Sequence, residues 1–202
     1  MDYQIKTISD PSRLCEGNVA EVSVCNWGGD YRPEVRAVLC YVKDQGFLIR
    51  MTAAEQNPLS VQTAPNSAVC TDSCLEFFAN FKPELPGSGY INFEVNSIGT
   101  TLSFYGPDRF TRTSLVELGA EHPKPRAFRS ENEWGWDYLI PLSLIEKVYG
   151  SADFKTGDVI RANFYKCGDH TEHVHYLSFT AIQSDHPDFH RPEAFARMEI
   201  TD

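Results

Sequence analysis

Apolar and polar residues alternate with a period of two along much of this chain, in short segments separated by Gly, Pro, Asn and Asp. This period is typical of strands, because successive side chains point to opposite faces of a sheet. The clearest segments are Val35–Lys43, Phe47–Ala53, Leu75–Phe78, Tyr90–Asn96, Thr100–Tyr105, Trp134–Ile140, Asp158–Cys167 and His173–Thr180. With almost no helical periodicity elsewhere, the pattern predicts an all-β fold: a two-sheet antiparallel β-sandwich that forms a single domain over residues 1–202.

Two short motifs indicate how the strands connect. Asp44–Gly46 separates two strand segments and is typical of a hairpin connection. Ser143–Glu146 matches the capping box that begins a helix, and Gly150 is a residue that commonly ends one. We therefore expect one short crossover helix near Leu144–Tyr149, and a long surface excursion over the irregular segment Pro107–Ser130.

Alternation divides the strand residues into two sets. The inward set is apolar and forms the predicted core: Leu75, Phe77, Ala79, Ile91, Phe93, Val95, Trp134, Trp136, Tyr138, Ile140, Ile160, Ala162 and Phe164. The outward set is rich in polar groups and rings: Glu76, Phe78, Tyr90, Asn92, Glu94, Asn96, Arg161, Asn163 and Tyr165. Carboxylates and amides can bind sugar hydroxyls while rings cover C–H faces, so the outward face suits a carbohydrate. An ordinary solvated sheet face is the alternative.

The loop near the C-terminus holds a large ring between two prolines. Pro187 and Pro192 restrict the backbone on either side of Phe189 and His190. A ring displayed on such a loop can stack on a sugar or another planar ligand. The same ring can instead fold back and close one end of the core, and the spacing alone leaves both interpretations open.

Composition and charge limit the classes of partner that this chain can bind. The chain is 42% hydrophobic and 12% aromatic, which argues against disorder. Its net charge of −10 disfavours nucleic acid, because phosphate binding requires clustered Lys and Arg. No segment approaches the roughly 20 apolar residues of a membrane span, so no membrane partner is expected. Met1–Lys6 has no apolar signal-peptide core, so we expect a cytoplasmic protein unless a leader was removed.

The cysteines and histidines show no familiar metal motif. The six cysteines are expected to be reduced and mostly buried, because the chain is neither small nor visibly secreted. Cys70 and Cys74 have no second close pair to complete a zinc site. His173 and His175 share a predicted strand face and could bind a transition metal, although ligands from elsewhere would be needed. Hydrogen-bonded or solvated histidines are the favoured interpretation.

Signals for catalysis are weak. Asp72 and Glu76 share a strand face, but four strand residues separate them by roughly 13 Å, which is too far for the carboxyl pairs of glycosidases. Glu76 and Glu94 could approach each other across neighbouring strands and remain a candidate pair. The sequence has no G-x-S-x-G nucleophile elbow.

Three blocks resemble carbohydrate-binding module family 9, and more closely its stand-alone family 9-like branch among the DOMON-like sandwiches. They are Asp72–Phe78, Tyr90–Asn96 and Phe189–Phe195, and their spacing extends the resemblance over nearly the whole chain. The resemblance implies a β-sandwich that binds a mono- or oligosaccharide of the xylan or cellulose type without cleaving it, with a role in carbohydrate catabolism. Family members can hold structural calcium, but no carboxylate cluster places one here, so no cofactor is expected.

The resemblance also implies which residues bind. Glu76 matches the family's binding glutamate, Asn96 a binding asparagine, and Phe189 one of two stacking rings, with His190 beside it. The second stacking ring is replaced near Cys70.

Two further family positions differ in this chain. Glu94 stands where the family has arginine, and Tyr165 stands where it has glutamine. Arg161 and Tyr165 are expected within reach of the ligand. The rival hypotheses are glycoside hydrolysis through Glu76 and Glu94, and a metal- or haem-binding DOMON-like domain that uses the histidines.

Overall fold

The computed structural model describes residues 2–202, which form fourteen strands and one α-helix. The strands are β1 (Asp2–Ile8), β2 (Val19–Glu21), β3 (Val24–Gly28), β4 (Val35–Val42), β5 (Gly46–Ala53), β6 (Cys74–Asn80), β7 (Tyr90–Asn96), β8 (Thr101–Gly106), β9 (Thr113–Ser114), β10 (Arg126–Arg129), β11 (Trp134–Pro141), β12 (Val159–Cys167), β13 (His175–Ser178) and β14 (Ala196–Thr201). The helix, α1, covers Leu142–Tyr149. Among the described residues, no helix has the length and apolar character needed to span a bilayer.

The strands join into one mixed, strongly curled sheet. Its main path runs β10-β11-β5-β4-β1-β14-β12-β6-β7-β8-β9, with β13 paired to β12 and β3, and β2 paired to β4. β1 runs parallel to both of its neighbours, β4 and β14. The prediction of a wholly antiparallel arrangement is therefore wrong at β1. The predicted division into two sheets is not confirmed, because hydrogen-bonded pairing is continuous along this path.

Curling brings the inner faces of the two halves of the sheet together. Phe47 on β5 packs against Phe81 just beyond β6, with ring centroids 5.2 Å apart. Phe93 on β7 packs against Tyr138 on β11 at 5.8 Å. The inward set predicted from alternation is confirmed as the main core, with Tyr138 only partly buried at its edge.

The local connections agree only in part with the sequence motifs. β4 and β5 form the expected antiparallel hairpin, and Asp44 in its turn has a φ of 60°. The helix ends at Gly150, whose φ of 80° is in the left-handed region that glycine favours. The prediction that a capping box at Ser143–Glu146 begins the helix is wrong, since the helix begins at Leu142 and no side chain caps its first turn. The predicted excursion Pro107–Ser130 contains the short strands β9 and β10.

The outer face of β6, β7 and β12 is covered, not solvated. A second hydrophobic cluster lies on it: Val69, Cys74, Phe78, Tyr90, Tyr165, Cys167, Ile182, Phe189 and Phe195. Its members come from these strands and from two long segments, 54–73 and 179–195, that close over them. As a result Glu76, Asn92 and Glu94 are buried. A ligand can reach these polar groups only through a gap in that cover.

Candidate functional site

A small pocket opens on the outer face of β6 and β7, beside the C-terminal loop. Its volume is about 90 Å³. Its walls come from strands and from four separate loops: Cys70, Glu76, Glu94, Arg109, Cys167, Asp169, Tyr176, Pro187, Asp188, Phe189 and His190. The fold therefore brings together four of the residues expected from the sequence, namely Glu76, Glu94, Phe189 and His190.

Glu76 and Glu94 form the floor of the pocket. They are direct partners across β6 and β7, and only 2% and 5% of their surfaces are exposed. Burial, with the neighbouring charge of Glu94, raises the pKa of Glu76 well above its usual range. Burial also raises the pKa of Glu94 to about 7, although Arg112 and Arg109 oppose this. Near neutral pH the pair retains at least one proton and offers both a donor and acceptors.

Two arginines bring positive charge to the rim. Arg109 and Arg112 lie on the loop between β8 and β9. Arg112 donates from Nη1 to Asn92 Oδ1 at 3.2 Å, and Asn92 Nδ2 donates to Glu94 Oε1 at 3.1 Å. Arg109 pairs with Asp188 at 3.3 Å, which links this loop to the C-terminal loop. Glu94 is thus held by hydrogen bonds that extend through Asn92 to Arg112 at the rim.

His190 lines the pocket as a neutral imidazole. Burial, reinforced by the charges of Arg112 and Arg109, lowers its pKa to about 3. Its Nδ1 lies 2.8 Å from the Tyr90 hydroxyl and its Nε2 lies 3.4 Å from Arg112 Nη1. Arginine can only donate, so Nε2 accepts and Nδ1–H donates to Tyr90. The ring also lies 3.9 Å from Glu94, but as a neutral group it forms no ion pair there.

Phe189 is buried, and the expectation of a displayed stacking ring is wrong. Only 8% of the residue is exposed. Its ring stacks on Tyr165 with a centroid distance of 4.4 Å and an interplanar angle of 11°, and Trp27 and Tyr176 pack around it. The Tyr165 hydroxyl also donates to the Phe189 carbonyl at 3.2 Å. Phe189 therefore anchors the C-terminal loop to β12 while contributing to the pocket wall.

Three residues expected at the site do not line it. Asn96 Nδ2 donates to Asp72 and to a backbone carbonyl, and its Oδ1 accepts from two backbone N–H groups, so its amide is fully used in the turn after β7. Arg161 is exposed near the start of β12. Tyr165 is completely buried behind Phe189 and presents no free ring face to the pocket.

A separate group of buried charges lies on the core side of β12. The Lys166 Nζ is 3.2 Å from Glu55 Oε2 and 2.7 Å from His175 Nε2. Burial and the charge of Lys166 lower the pKa of His175 to about 4, so the ring is neutral and accepts a hydrogen bond from Lys166. Glu55 also accepts from the Trp134 indole at 2.9 Å. His173 is exposed and precedes the strand, so the expected pair of histidines on one strand face is not formed.

Five lining residues were not expected from the sequence: Cys70, Arg109, Cys167, Asp169 and Tyr176. Alternation gave a signal for Cys167 alone, because it continues the outward parity of Tyr165 on β12, while the family resemblance marked the position of Cys70. Of the others, three lie in loops, where alternation says nothing about direction.

Larger hollows on the surface lack this convergence of groups. One of about 430 Å³ is bordered by Lys82 and Phe154, but Lys82 already pairs with Asp153 at 3.0 Å. Another of about 290 Å³ lies beside Glu55, which is engaged by Lys166. The 90 Å³ pocket is smaller, yet it alone among these three places two directly opposed carboxyl groups with raised pKa at its floor.

Comparison with known proteins gives one matching family and several similar structures. The model of carbohydrate-binding family 9 matches residues 10–200. A candidate carbohydrate-binding protein from Bacteroides uniformis ATCC 8492 has a TM-score of 0.80 at 23% identity, covering 98% of each chain. A family 9 module from Caldicellulosiruptor kristjanssonii, at 8% identity, gives TM-scores of 0.71 in complex with glucose (100% of this chain, 96% of that one) and 0.66 with cellotriose (100% and 94%). No curated protein matches this sequence.

Proposed function

Because the chain belongs to carbohydrate-binding family 9, we propose that it binds a sugar without cleaving it, in the pocket above Glu76 and Glu94. The observation that supports this most strongly is the buried carboxyl pair, whose open side faces a cavity. Sugar hydroxyls both donate and accept, and a carboxyl pair that holds at least one proton can match both roles. The neutral ring of His190 provides further contact at the wall.

Apolar contact with the sugar is assigned to Tyr176. Cys70 occupies the position where the family resemblance expects a stacking ring, and a thiol cannot cover a sugar face. Tyr176 lines the same pocket, is only partly buried, and packs edge-on against Trp27 and Phe189, which fix its orientation. In this proposal the Tyr176 ring packs on the C–H face of the sugar, which the missing ring would otherwise cover.

The size of the pocket limits the ligand. A cavity of about 90 Å³ is far below the roughly 300–1,000 Å³ of typical small-molecule sites. One terminal sugar unit fits this scale better than an internal stretch of polymer. Relatives bound to glucose and cellotriose make a terminal unit of a cellulose- or xylan-type oligosaccharide the first choice, consistent with a role in glycan breakdown.

Calorimetric titration tests the proposal. Glucose, xylose, cello-oligosaccharides and xylo-oligosaccharides are titrated into the wild-type protein and the Glu76→Gln variant. Loss of a charged or shared-proton hydrogen bond costs on the order of 1.5–3 kcal/mol, so we expect Glu76→Gln to weaken binding about tenfold or more. Glu146→Gln, on the exposed face of α1, is the control and should bind like wild type.

Two results would contradict this proposal. The first is the absence of any binding heat when each sugar is titrated into the wild-type protein at millimolar concentration. The second is equal affinity of wild type and Glu76→Gln, which would move any sugar site away from the carboxyl pair.

Hydrolysis of O-glycosides is the second candidate function. Glu76 and Glu94 are direct cross-strand partners, and such partners have Cβ atoms about 4.5–5.5 Å apart, a separation that permits the roughly 5 Å carboxyl spacing of retaining glycosidases. A pocket of about 90 Å³ cannot hold both sugars that flank a scissile bond, which places this candidate second. Turnover of an aryl-glycoside that Glu76→Gln abolishes would reverse the order.

A further inference from the structure

Three metal-ligating side chains converge at one side of the pocket floor. Cys74 and Glu76 share the outer face of β6, two residues apart, and Cys167 on β12 is the direct cross-strand partner of Cys74. The ligand atoms of all three lie within 4.8 Å of one another. Since a Zn–S bond is about 2.3 Å, two sulfur ligands of one tetrahedral ion lie roughly 3.8 Å apart. The three groups therefore need only small side-chain rotations to hold one ion.

These donor atoms have few strong partners inside the protein. Cys74 Sγ has a backbone carbonyl at 4.0 Å, whereas Cys167 Sγ lies 3.6 Å from the Cys70 carbonyl and 3.0 Å from Glu76 Oε1. All three residues are at most 2% exposed. Among the residues that the structure describes, the one hydrogen bond to the Glu76 carboxyl group is the contact with Cys167 Sγ. A carboxyl group buried in this way is costly unless it stays neutral or binds a metal.

We propose that Cys74, Glu76 and Cys167 form a binding site for a thiophilic divalent cation, with Zn²⁺ the best match. Zn²⁺ accepts cysteine sulfur and glutamate oxygen together, whereas Ca²⁺ and Mg²⁺ require oxygen ligands throughout. Three protein ligands leave the fourth tetrahedral position unfilled. Because Glu76 and Cys167 both line the pocket, that position faces the cavity and takes water or an oxygen atom of a ligand.

The local charges fit a bound cation. Two thiolates and one carboxylate carry three negative charges, and a divalent ion neutralises two of them. Arg109, which also lines the pocket, contributes positive charge at the rim. The ion and its ligands thus carry a net charge of −1 instead of −3, which lowers the cost of burying these groups.

Metal binding is measured on the reduced full-length protein without oxygen and without sugar. Co²⁺ serves as the spectroscopic probe, because a thiolate-to-cobalt charge-transfer band appears only when cysteine sulfur binds the ion. Zn²⁺ should then displace Co²⁺ and abolish the band. A chromogenic zinc chelator gives the affinity by competition.

Matched variants locate the site. Loss of supporting groups around a metal ligand typically costs 10–100-fold in affinity, so we expect Cys167→Ala and Cys74→Ala to weaken Zn²⁺ binding at least about 100-fold. Glu76→Gln, which keeps both thiols, should retain the charge-transfer band but bind Zn²⁺ more weakly. Cys40→Ala is the control, since Cys40 is equally buried but belongs to a different cluster around β4. It should bind like wild type.

Melting curves keep the test valid if a variant folds poorly. Zn²⁺ should raise the melting temperature of wild type and Cys40→Ala but not of Cys167→Ala. The site is overturned if reduced wild type gives no charge-transfer band, or if Cys74→Ala and Cys167→Ala both retain it. It is also overturned if the purified protein holds a Cys74–Cys167 disulfide that reductant cannot open.

This test is independent of the sugar proposal. A protein that binds Zn²⁺ but no sugar supports the metal site and contradicts the proposed function. A protein that binds sugar but gives no thiolate–cobalt band supports the proposed function and contradicts the metal site.

Discussion

At the scale of single residues, Phe189 shows that the role of a ring depends on what surrounds it. The two prolines indicated a restrained ring near the C-terminus, and they fitted a display loop and a core plug equally well. The structure supports the plug, because Tyr165 stacks on one face and Trp27 and Tyr176 pack around the rest. Which neighbours a loop residue meets depends on strands far away in sequence, so local pattern could not decide between the two.

We expect Phe189→Ala to lower the free energy of unfolding by about 3–5 kcal/mol, because it removes a packed ring and leaves a cavity among Tyr165, Trp27 and Tyr176. Urea denaturation followed by fluorescence measures the loss. Phe110→Ala is the control: that ring is 91% exposed, so its removal should change stability by no more than about 0.5 kcal/mol. Equal effects of the two changes would mean that Phe189 is not part of a packed cluster.

The candidate site was partly predictable at this scale. Glu76 and Glu94 were recognised because alternation sets the direction of a strand side chain and because Glu76 lies in a family block. Alternation does not set the environment: Asn96 points the same way but does not line the pocket. Its position next to the turn after β7 puts backbone N–H groups within reach of its amide.

At the scale of elements, the strands were predictable from the sequence, but the segments that pack over their outer faces were not. Alternation is a local property, and it correctly identified the buried inner faces of β6, β7, β11 and β12. The segments 54–73 and 179–195 have no periodicity, so nothing local showed that they close over the outer faces. One signal was present: Phe78, Tyr90 and Tyr165 are rings at outward positions on three strands, which is typical of a second buried layer.

Asp188 fixes the C-terminal loop, and we expect its removal to loosen that loop alone. Its Oδ1 accepts from the His190 N–H at 3.1 Å, and its carboxylate pairs with Arg109 at 3.3 Å and Arg191 at 3.0 Å. Charged hydrogen bonds of this kind are worth about 1.5–3 kcal/mol, so Asp188→Ala should speed amide exchange over residues 184–192 at least about tenfold.

Hydrogen exchange followed by mass spectrometry measures this effect peptide by peptide. Asp185→Ala, an exposed acid in the same loop, is the control and should leave exchange unchanged. Faster exchange spread evenly over β6, β7 and β12 would show that Asp188 supports the whole fold instead of the loop.

At the scale of the whole molecule, β1 joins the two halves of the sheet. It lies between β4 and β14 and is parallel to both, with Asp2 opposite Arg197. Parallel pairing between segments so distant in sequence leaves no local signature, because hairpin turns connect only antiparallel neighbours. The mixed sheet therefore could not be predicted from strand patterns, which favoured a wholly antiparallel arrangement.

The buried floor of the pocket links the stability of the whole molecule to pH. In the folded protein the pKa of Glu94 is raised from 4.5 to about 7, so the folded state holds a proton that the unfolded state releases between these values. The stabilising contribution of the protonated form is complete below about pH 4.5 and is lost as pH rises through 7. His190 acts in the opposite direction: its lowered pKa makes the folded state lose stability as pH falls from 6.5 towards 3.

Comparing wild type with Glu94→Gln cancels the contribution of His190, which both proteins contain, and reports on Glu94 together with its coupling to Glu76. Glutamine has the same shape and cannot ionise, so we expect wild type to lose up to about 3 kcal/mol of unfolding free energy relative to Glu94→Gln between about pH 5 and pH 8. Urea denaturation at each pH gives the difference. The difference in unfolding free energy between wild type and Glu146→Gln, whose carboxyl is exposed on α1, should stay constant over this pH range. A flat difference for Glu94→Gln would mean that Glu94 is already ionised in the folded pocket at pH 5, and that Arg109 and Arg112 outweigh the cost of its burial.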